Sequence, residues 1–485
     1  MNRMKKSVSE VDPNGRDAGL TKIGFLALAA RWYWDTQMSD SNFTEEVRSE
    51  IRSIEAALAG AHQLVSAGLV TTEEEASSAA AKFREANVDA LIACCAMWSE
   101  DQPLLKVLGD LQNTPLLLWC WTPGTTLPGK LTALDLIKWS GPVGAQQISG
   151  ALNRSGHKFA FVMGNHNEKE TLREIQEFLA AATVARNLKH ARIGLIPYRY
   201  HVMTNTWVDE FDLMSKLGVD IVYVSVNQLA SSSASMKELD VKRYVESIGD
   251  IRVLPEVSSQ GLSEAVKVSL GLAKIVADFR LDAVSIADCN EELHAVLKCR
   301  PCLYIPSVFE HGIAIGMEGD LLGIIGQLIL SKLSGQPTMF TEIFTYDESR
   351  NEILVGHAGM HDIRLAESRS TVTVTPDYEY PRESAGVWMS FSVKPGPVTL
   401  LSIASSESGF HFVVTKGEAL RADGKLQGYP YALIRLDIPL RSFFRTSTDI
   451  GTTQHWALVP GDFRRSISRL AEILGAGCTV MGTAQ

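Results

Sequence analysis

Several signatures are missing from this 485-residue sequence. It contains no GxxxxGK[ST] phosphate loop and no GxGxxG after a strand, which argues against a kinase or a dehydrogenase. No run reaches the roughly 18 consecutive apolar residues that a membrane-spanning helix needs. The seven cysteines include one CxxC pair, at 299 and 302, and no second pair to complete a zinc site. The net charge of −10 argues against a nucleic-acid partner, because such proteins usually present a basic surface.

The first 18 residues are polar and contain no apolar stretch of the kind found in secretory signals. We therefore expect a loose N-terminal tail over residues 1–18. The cysteines are odd in number and several stand in apolar runs, where cysteine usually serves as a small buried hydrophobic residue. A reduced, cytoplasmic protein without a membrane or nucleic-acid partner is the resulting expectation.

The chain is too long for one hydrophobic core, since single cores stop growing at roughly 250–300 residues. Short apolar runs alternate with helical spacing up to about residue 340, a rhythm typical of parallel sheets covered by helices. One helix is predicted across 43–67 and another across 206–217, and Thr72 with Glu75 forms a capping-box pattern. The pattern restarts near residue 190, which predicts α/β domains over 19–188 and 189–340.

The character of the sequence changes after residue 340, where short β-rich runs are separated by glycine, proline and serine. This composition favours antiparallel sheet. The predicted fold class is therefore α/β, with two Rossmann-like domains followed by a mainly antiparallel β-barrel domain and a final helix over 341–485.

Four residues in the second half of the chain combine into a candidate site: Glu318, Glu342, His357 and His455. Each signal is weak alone, because a glutamate before a helix often serves the helix dipole and glycine-flanked histidines are often loop residues. A glutamate inside an apolar strand is harder to dismiss, since burying an unpaired carboxylate is costly. Together, two carboxylates and two imidazoles suit Mn²⁺, Co²⁺ or Zn²⁺ better than calcium.

The motifs around these residues resemble those of the arabinose isomerases and the related fucose isomerases. The resemblance rests on Glu-Gly-Asp before an apolar helix at 318–320, Phe-Thr-Glu-Ile-Phe-Thr-Tyr at 340–346, Gly-His-Ala-Gly at 356–359 and Gln-His-Trp at 454–456. It implies that Glu318, Glu342, His357 and His455 bind a divalent metal, usually Mn²⁺, with Co²⁺, Mg²⁺ or Zn²⁺ as alternatives. It also implies that the two glutamates act as acid and base, and that the protein forms a trimer or hexamer.

The predicted function is the interconversion of an aldose and a ketose, on an unphosphorylated pentose or deoxyhexose. Glu318 and Glu342 would share the proton transfers between C1 and C2 and between their oxygens, and a hydride shift would use the same residues. Weaker candidates for substrate contact are Gln146, Asn165, Tyr200 and Met203, which follow predicted strands or face the presumed cleft. His361 is either a fifth site residue or a solvated loop histidine.

Two other readings stay open at the level of the sequence. A sugar-binding or regulatory protein could use two α/β lobes without chemistry, although two acidic and two imidazole ligands weigh against it. Another metal-dependent sugar enzyme, such as an epimerase or an aldolase, could use the same scaffold, because a fold does not dictate a reaction.

Overall fold

The computed structural model describes residues 20–35, 41–60, 62–379 and 386–482, so the predicted tail at 1–18 lies outside the described residues. The described chain forms two compact units, an N-terminal unit that ends at Arg186 and a C-terminal unit that begins at Asn187. The finer predicted division into domains at 19–188, 189–340 and 341–485 stays a prediction.

The N-terminal unit is built on a parallel sheet of five strands in the order β2-β1-β3-β4-β5. Its strands are β1 (Lys22–Leu28), β2 (Gln63–Val70), β3 (Ala90–Cys95), β4 (Leu116–Cys120) and β5 (Ala160–Met163). Its helices are α1 (Arg31–Asp35), α2 (Ser41–Leu58), α3 (Glu73–Ala86), α4 (Gln102–Gly109), α5 (Ala133–Lys138), α6 (Gly141–Arg154) and α7 (Lys169–Leu188). Strands β3 and β4 are buried along their whole length, which explains why they read as continuous apolar runs.

Two local predictions in this unit have different outcomes. The capping box is confirmed, since the Thr72 hydroxyl accepts from the Glu75 amide and the Glu75 carboxylate accepts from the Thr72 amide at the start of α3. The predicted helix over 43–67 is wrong beyond Leu58, because α2 ends there and β2 begins at Gln63. The intervening Gly60 favours such a break, since glycine loses more backbone freedom in a helix than other residues.

The C-terminal unit contains a parallel sheet of four strands in the order β10-β9-β6-β7 and a mixed sheet of ten strands. Its strands are β6 (Arg192–Ile196), β7 (Asp220–Tyr223), β8 (Arg252–Val253), β9 (Ala283–Ile286), β10 (Ala314–Met317), β11 (Met339–Asp347), β12 (Glu352–Gly356), β13 (Thr373–Pro376), β14 (Val387–Ser392), β15 (Gly396–Ser406), β16 (Gly409–Leu420), β17 (Pro430–Leu436), β18 (His455–Pro460) and β19 (Gly477–Val480). Its helices are α8 (Glu210–Asp212), α9 (Val226–Ala234), α10 (Glu238–Ser247), α11 (Ser259–Phe279), α12 (Glu291–Leu297), α13 (Pro306–Phe309), α14 (Leu321–Ser334), α15 (Leu440–Ile450) and α16 (Arg464–Leu474). The two parallel sheets confirm the predicted α/β class.

The predicted helix over 206–217 is interrupted. A 3₁₀ turn at Thr204–Thr206 is followed by the short α8 and then by a π-helical segment, Leu213–Leu217. The segment ends at Gly218, which adopts a positive φ of 81°. Residues 198–206 precede α8 and form a loop that ends in the 3₁₀ turn.

The mixed sheet follows the order β19-β16-β15-β18-β11-β12-β17-β14-β13-β8, and β16 pairs additionally with β17. Most neighbouring strands are antiparallel, as the sequence predicted for 341–485, but β8–β13, β14–β17 and β16–β19 are parallel pairs. One edge of β16 pairs with β15, and its remaining pairings are with β19 at His411–Val414 and with β17 at Gly417–Leu420.

Helix α14 connects the parallel sheet to the mixed sheet. It contacts β9 and β10 of the first sheet and β11, β15 and β18 of the second. Its residues from Leu321 to Ser331 are all buried, so it is apolar on every side. Among the described helices, none has both the length and the apolar surface that spanning a bilayer would require. Because α14 starts directly after β10, it fixes where the polar turn at 318–320 lies against the mixed sheet.

Candidate metal centre

Three of the four predicted ligands lie at the ends of strands in the C-terminal unit. Glu318 follows the last residue of β10, His357 follows the last residue of β12, and His455 is the first residue of β18. One ligand atom from each of the three side chains lies within 4.8 Å of the others. Residues far apart in the sequence are thus brought together where two sheets meet around α14.

His357 presents an unoccupied ring nitrogen to this cluster. Its Nδ1 lies 2.9 Å from the carbonyl oxygen of Ala358, and because a carbonyl only accepts, Nδ1 must carry the proton. The lone pair is therefore on Nε2, which is buried and has no hydrogen-bond partner. An unpaired buried nitrogen is costly, so the arrangement is explained if Nε2 has an electron-pair acceptor to bind.

His455 is oriented in the same way by a carboxylate. Its Nδ1 lies 2.8 Å from Oδ2 of Asp320, and both side chains are fully buried. Its Nε2 has no well-directed hydrogen bond, although it lies 3.1 Å from Oε2 of Glu318. A carboxylate that holds the far nitrogen of a histidine is the usual support for a metal-binding imidazole, because it fixes the tautomer and raises the basicity of the ligand atom.

The ring of Phe340 separates the two imidazoles from the core. Its centroid lies 4.5 Å from that of His455 and 5.1 Å from that of His357, while the two imidazole centroids are 5.3 Å apart. Phe340 is completely buried, so both imidazoles pack against a rigid apolar surface. Neither ring can turn away from the cluster without displacing Phe340.

Burial lowers the pKa of His455, but the hydrogen bond with Asp320 and the nearby Glu318 carboxylate outweigh burial and raise the pKa to about 9. Burial has the opposite effect on Glu318 and raises its pKa. Interactions with His455, His357 and Gln454 more than offset burial, so the pKa of Glu318 lies below its ordinary value. Glu318 is therefore an anion beside His455, which is the charge state that a cation site requires.

The backbone at Glu318 has an unusual conformation. Glu318 has a φ of 60° and Gly319 a φ of 67°, both in the left-handed region that side chains other than glycine rarely adopt. A Cβ on Gly319 would come within 2.9 Å of the carbonyl oxygen of Tyr198. This double turn directs the Glu318 carboxylate toward the imidazoles, and only glycine fits at its second position.

Glu342 lies beside this group, although it is not one of the three residues whose ligand atoms lie within 4.8 Å of one another. It pairs in register with His455 on one side and with Gly356, the residue before His357, on the other. Directly opposed residues in an antiparallel pair project to the same face, so Glu342 shares the face of His455. Its role as fourth ligand and as catalytic residue stays a prediction.

Two of the weaker substrate candidates lie close to Glu318. The Gln454 amide nitrogen is 3.4 Å from Oε2 of Glu318 and 3.4 Å from the sulfur of Met203. Cys289, partial burial and the charge of Glu318 together raise the pKa of Tyr200. Tyr200 and Met203 thus border the cluster from the loop at 198–206.

Gln146 and Asn165 belong to the N-terminal unit. Gln146 is exposed on α6. Asn165 is buried after β5, where its amide nitrogen donates to the carbonyl of Thr122 at 2.7 Å and its amide oxygen accepts from the backbone of Asn167 at 2.9 Å. These contacts give Asn165 a structural role in the turn, and contact of either residue with substrate stays a prediction.

His361 is not a solvated loop histidine, because it is 4% exposed. Its Nε2 donates to the carbonyl oxygen of His357 at 3.0 Å. Burial, followed by the neighbouring His357, lowers the pKa of His361 to about 3. His361 is therefore a neutral support of the chain segment that carries His357.

The sequence did not reveal the residues that orient the ligands. Asp320 was visible only as part of the Glu-Gly-Asp motif, and its position before α14 predicts a helix cap: its Oδ1 accepts from the amides of Leu322 and Gly323 at 2.9 and 3.0 Å. Its second oxygen binds His455, a contact between distant residues that no local pattern indicates. Gln454 stands next to a predicted ligand, and adjacency alone gave no sign of its contact with Glu318.

The donor set fits a divalent transition-metal ion. One carboxylate and the Nε2 atoms of two imidazoles converge, and each imidazole is fixed from behind by an acceptor. Fold and site together define a class of protein in which a parallel α/β sheet and a mixed β sheet carry a Glu/His/His centre for a divalent ion.

Comparison with curated proteins finds sugar isomerases among the similar sequences. The chain is 22% identical over 407 residues to a sulfoquinovose isomerase from Priestia aryabhattai, covering 84% of this chain and 88% of the relative. It is 23% identical over 372 residues to an L-arabinose isomerase from Nocardioides sp., covering 74% of this chain and 72% of the relative. These relatives confirm the predicted resemblance to the arabinose/fucose isomerase family and the predicted enzyme class, an intramolecular oxidoreductase.

Other comparisons add little. No protein-family model matches the sequence. An ABC transporter solute-binding protein from Burkholderia multivorans aligns at 12% identity with a TM-score of 0.17, covering 58% of this chain and 84% of that protein. So low a score carries no argument for the sugar-binding alternative.

Proposed function

We propose that this protein is a divalent-metal-dependent aldose–ketose isomerase that acts on an unphosphorylated sugar. The observation that carries the proposal is the convergence of Glu318 with the Nε2 atoms of His357 and His455, of which His357 Nε2 is buried without a partner. Two pre-oriented imidazole nitrogens beside a carboxylate favour an enzyme with a resident ion over a sugar-binding protein that needs none.

Glu318, His357, His455 and Glu342 would hold the ion, and Mn²⁺ is the first candidate because the resemblance to the arabinose isomerases implies it. When bound, a divalent ion supplies Lewis-acid stabilisation of negative charge on adjacent oxygens of a sugar. Glu342 is supported as the fourth ligand by its register opposite His455 and next to His357. Co²⁺, Mg²⁺ and Zn²⁺ are the alternatives to test.

The two glutamates would move protons. One carboxylate takes the proton from C2 of the aldose and returns it to C1, and the second transfers a proton between the two oxygens. Glu318 is held by Gln454 and carries a lowered pKa, so it is ionised at neutral pH and ready to accept. Glu342 is only partly buried, so part of this residue is accessible to solvent.

Substrate classes follow from the relatives as well as from the site. The named activities of the relatives are the isomerisation of L-arabinose and of sulfoquinovose. We propose a pentose or deoxyhexose as substrate and treat sulfoquinovose as the second candidate. Tyr200 and Met203, which border Glu318, are the proposed contacts to the sugar, with Gln146 and Asn165 as further candidates.

Three broader features belong to the same proposal. The pairing of β16 with both β15 and β17 supports closure of the central strands of the mixed sheet into a barrel. A homo-oligomer, either a trimer or a hexamer, is proposed on the resemblance to the isomerases. A cytoplasmic location is proposed from the scattered cysteines, which are all free where described.

The test combines metal analysis with an isomerase panel on the wild type and on Glu342→Gln. The panel contains L-arabinose, L-fucose and sulfoquinovose, with products identified by NMR. Glu342→Gln should lose at least about 100-fold in kcat/KM, which is within the usual contribution of an acid–base group. Glu348→Gln is the matched control, because Glu348 follows the same strand but pairs with Arg441 on the surface.

The outcomes separate the alternatives. Ketose production that requires metal and is lost only in Glu342→Gln supports the proposal. Tight sugar binding without metal and without turnover would favour the binding protein, and a C2 or C4 epimer would favour an epimerase. Full activity of Glu342→Gln would remove Glu342 from the site.

A further inference from the structure

We infer that Asp288 and Arg300 are positioning residues for the metal centre: they form a buried ionic link that fixes the backbone of Glu318 in its left-handed conformation. The inference rests on the proposed function, because it assigns to these residues an effect on the ligand set. Asp288 lies just beyond β9, and Arg300 lies between α12 and α13. Neither residue is one of the grouped ligand residues.

Asp288 holds the main chain of Glu318 directly. Its Oδ1 accepts from the backbone amide of Glu318 at 3.1 Å, and its side chain is 3% exposed. A non-glycine residue in the left-handed region is strained, so the surrounding contacts must compensate for it. A charge-assisted bond to the amide of that residue is such a contact, since hydrogen bonds to charged groups are stronger than neutral ones.

Arg300 holds Asp288 in turn. Its Nη1 donates to Oδ2 of Asp288 at 2.8 Å, while its Nε and Nη2 donate to the two oxygens of Asp377 at 3.0 and 2.8 Å. The guanidinium is 1% exposed and lies 5.0 Å from the centroid of Trp388. Arg300 therefore ties the end of β9 to the segments that follow β13 and begin β14.

The main chain of Asp288 is also fixed. The Nε2 of His294, in α12, donates to the carbonyl oxygen of Asp288 at 2.8 Å. Hydrogen bonds from His294 and Arg300 thus hold the backbone and the carboxylate of Asp288, and the same carboxylate accepts from the Glu318 amide. A buried network with this many hydrogen bonds has few alternative arrangements, which makes it suited to setting the position of a ligand rather than to moving with it.

The consequence concerns metal affinity. Replacing Asp288 by asparagine keeps one oxygen but turns an acceptor into an amide donor. If the oxygen stays on the Glu318 amide, the new NH₂ group faces the Arg300 guanidinium, and if it turns toward Arg300, the Glu318 amide loses its acceptor. In either case the turn at Glu318 and Gly319 becomes less rigid, and the Glu318 carboxylate is no longer held in position to bind the ion.

The test measures Mn²⁺ affinity by calorimetric titration of the purified full-length protein. We expect Asp288→Asn to weaken Mn²⁺ binding at least about tenfold, the lower end of what is usual for residues that orient ligands. Glu352→Gln is the matched control, because Glu352 is also a buried carboxylate, 4% exposed, that pairs with Arg435 at 2.9 Å. It should lower the melting temperature and leave the Mn²⁺ affinity unchanged, whereas a merely structural role of Asp288 would lower only the melting temperature.

If Asp288→Asn does not fold, Asp377→Asn replaces it, because that change loosens Arg300 without touching Asp288. It should weaken Mn²⁺ binding by about threefold, within the smaller effect expected one contact further out. Unchanged affinity in whichever variant folds, with normal binding by the wild type, would overturn the positioning role alone. Failure of the wild type to bind any divalent ion would instead overturn the proposed function.

Discussion

The contact between Asp320 and His455 yields the sharpest prediction, because replacing Asp320 by asparagine should reverse the tautomer of a metal ligand. The carboxylate now receives Nδ1–H of His455 at 2.8 Å and leaves Nε2 for the ion. In the variant, the amide oxygen can still cap α14, since asparagine caps helices about as well as aspartate. The amide NH₂ then faces Nδ1, which must become the acceptor, and the proton moves to Nε2.

The magnitude follows from the loss of one ligand-orienting carboxylate. Changes of this kind cost about 10–100-fold in metal affinity, which at 1.36 kcal/mol per factor of ten corresponds to roughly 1.4–2.7 kcal/mol. The figure agrees with the 1.5–3 kcal/mol usual for a hydrogen bond to a charged group. We expect Asp320→Asn to bind Mn²⁺ about 10–100-fold more weakly than the wild type.

The assay is titration with Mn²⁺, combined with NMR of ¹⁵N-labelled histidine in the metal-free protein. Above about pH 9, where the metal-free ring is neutral, the His455 resonances should show protonated Nδ1 in the wild type and protonated Nε2 in the variant. Asp209→Asn is the control, because Asp209 also caps a helix, α8, through its bond to the Phe211 amide but is exposed to solvent. Wild-type affinity in Asp320→Asn, or an unchanged tautomer, would refute the reasoning.

Three further predictions concern the same centre. The pKa of His455 is raised from 6.5 to about 9, so in the metal-free protein its charged form contributes stability that is fully present below about pH 6.5 and is lost as pH rises through 9. Because a metal binds only the neutral His455 ring, Mn²⁺ affinity should rise with pH toward 9. Calorimetric titration in buffers of different ionisation enthalpy should detect about one proton released from His455 on Mn²⁺ binding at pH 7.5. Binding without proton release would contradict this prediction. Gly319→Ala places a Cβ 2.9 Å from a carbonyl oxygen at positive φ, so it should lower the free energy of unfolding by roughly 1–3 kcal/mol in denaturant titration, whereas Gly335→Ala, also at positive φ but in open space, should cost less. Gln454→Ala removes a neutral hydrogen bond to Glu318 and should raise the Glu318 pKa, moving the acidic limb of the kcat/KM profile upward; an unmoved limb would exclude Gln454 from this role.

Much of the parallel framework could be predicted from the sequence because buried strands read as apolar runs of the right length. The apolar runs at 91–97, 115–120, 192–197 and 281–286 predict strands, and they coincide with β3, β4, β6 and β9. The helical spacing at 262–279 likewise coincides with α11. β2 was missed because helical spacing continues past Leu58 to His62, so periodicity alone did not mark the break at Gly60. Hydrophobic periodicity indicates which face of an element is buried, but it does not mark the boundary where a helix ends and a strand begins.

The site was predictable to a lesser depth. Glu318, His357 and His455 could be named because their motifs resemble those of known isomerases, and the fold brings them together. Asp288, Asp320 and Arg300 could not, because their contacts join residues 12 to 135 positions apart and leave no mark on local sequence. Hydrogen bonds between distant segments depend on the folded arrangement, which composition and spacing do not encode.

The position of the ligands at strand ends has one more consequence. Glu318 follows a strand of the parallel sheet, whereas His357 and His455 lie at strand ends of the mixed sheet. An ion bound to all three would therefore cross-link the two sheets that α14 contacts. A cross-link that closes so long a stretch of chain restricts the unfolded state as well as the folded one. Thermal stability and catalytic activity would then both depend on metal occupancy, and a chelator would lower the melting temperature as it abolished activity.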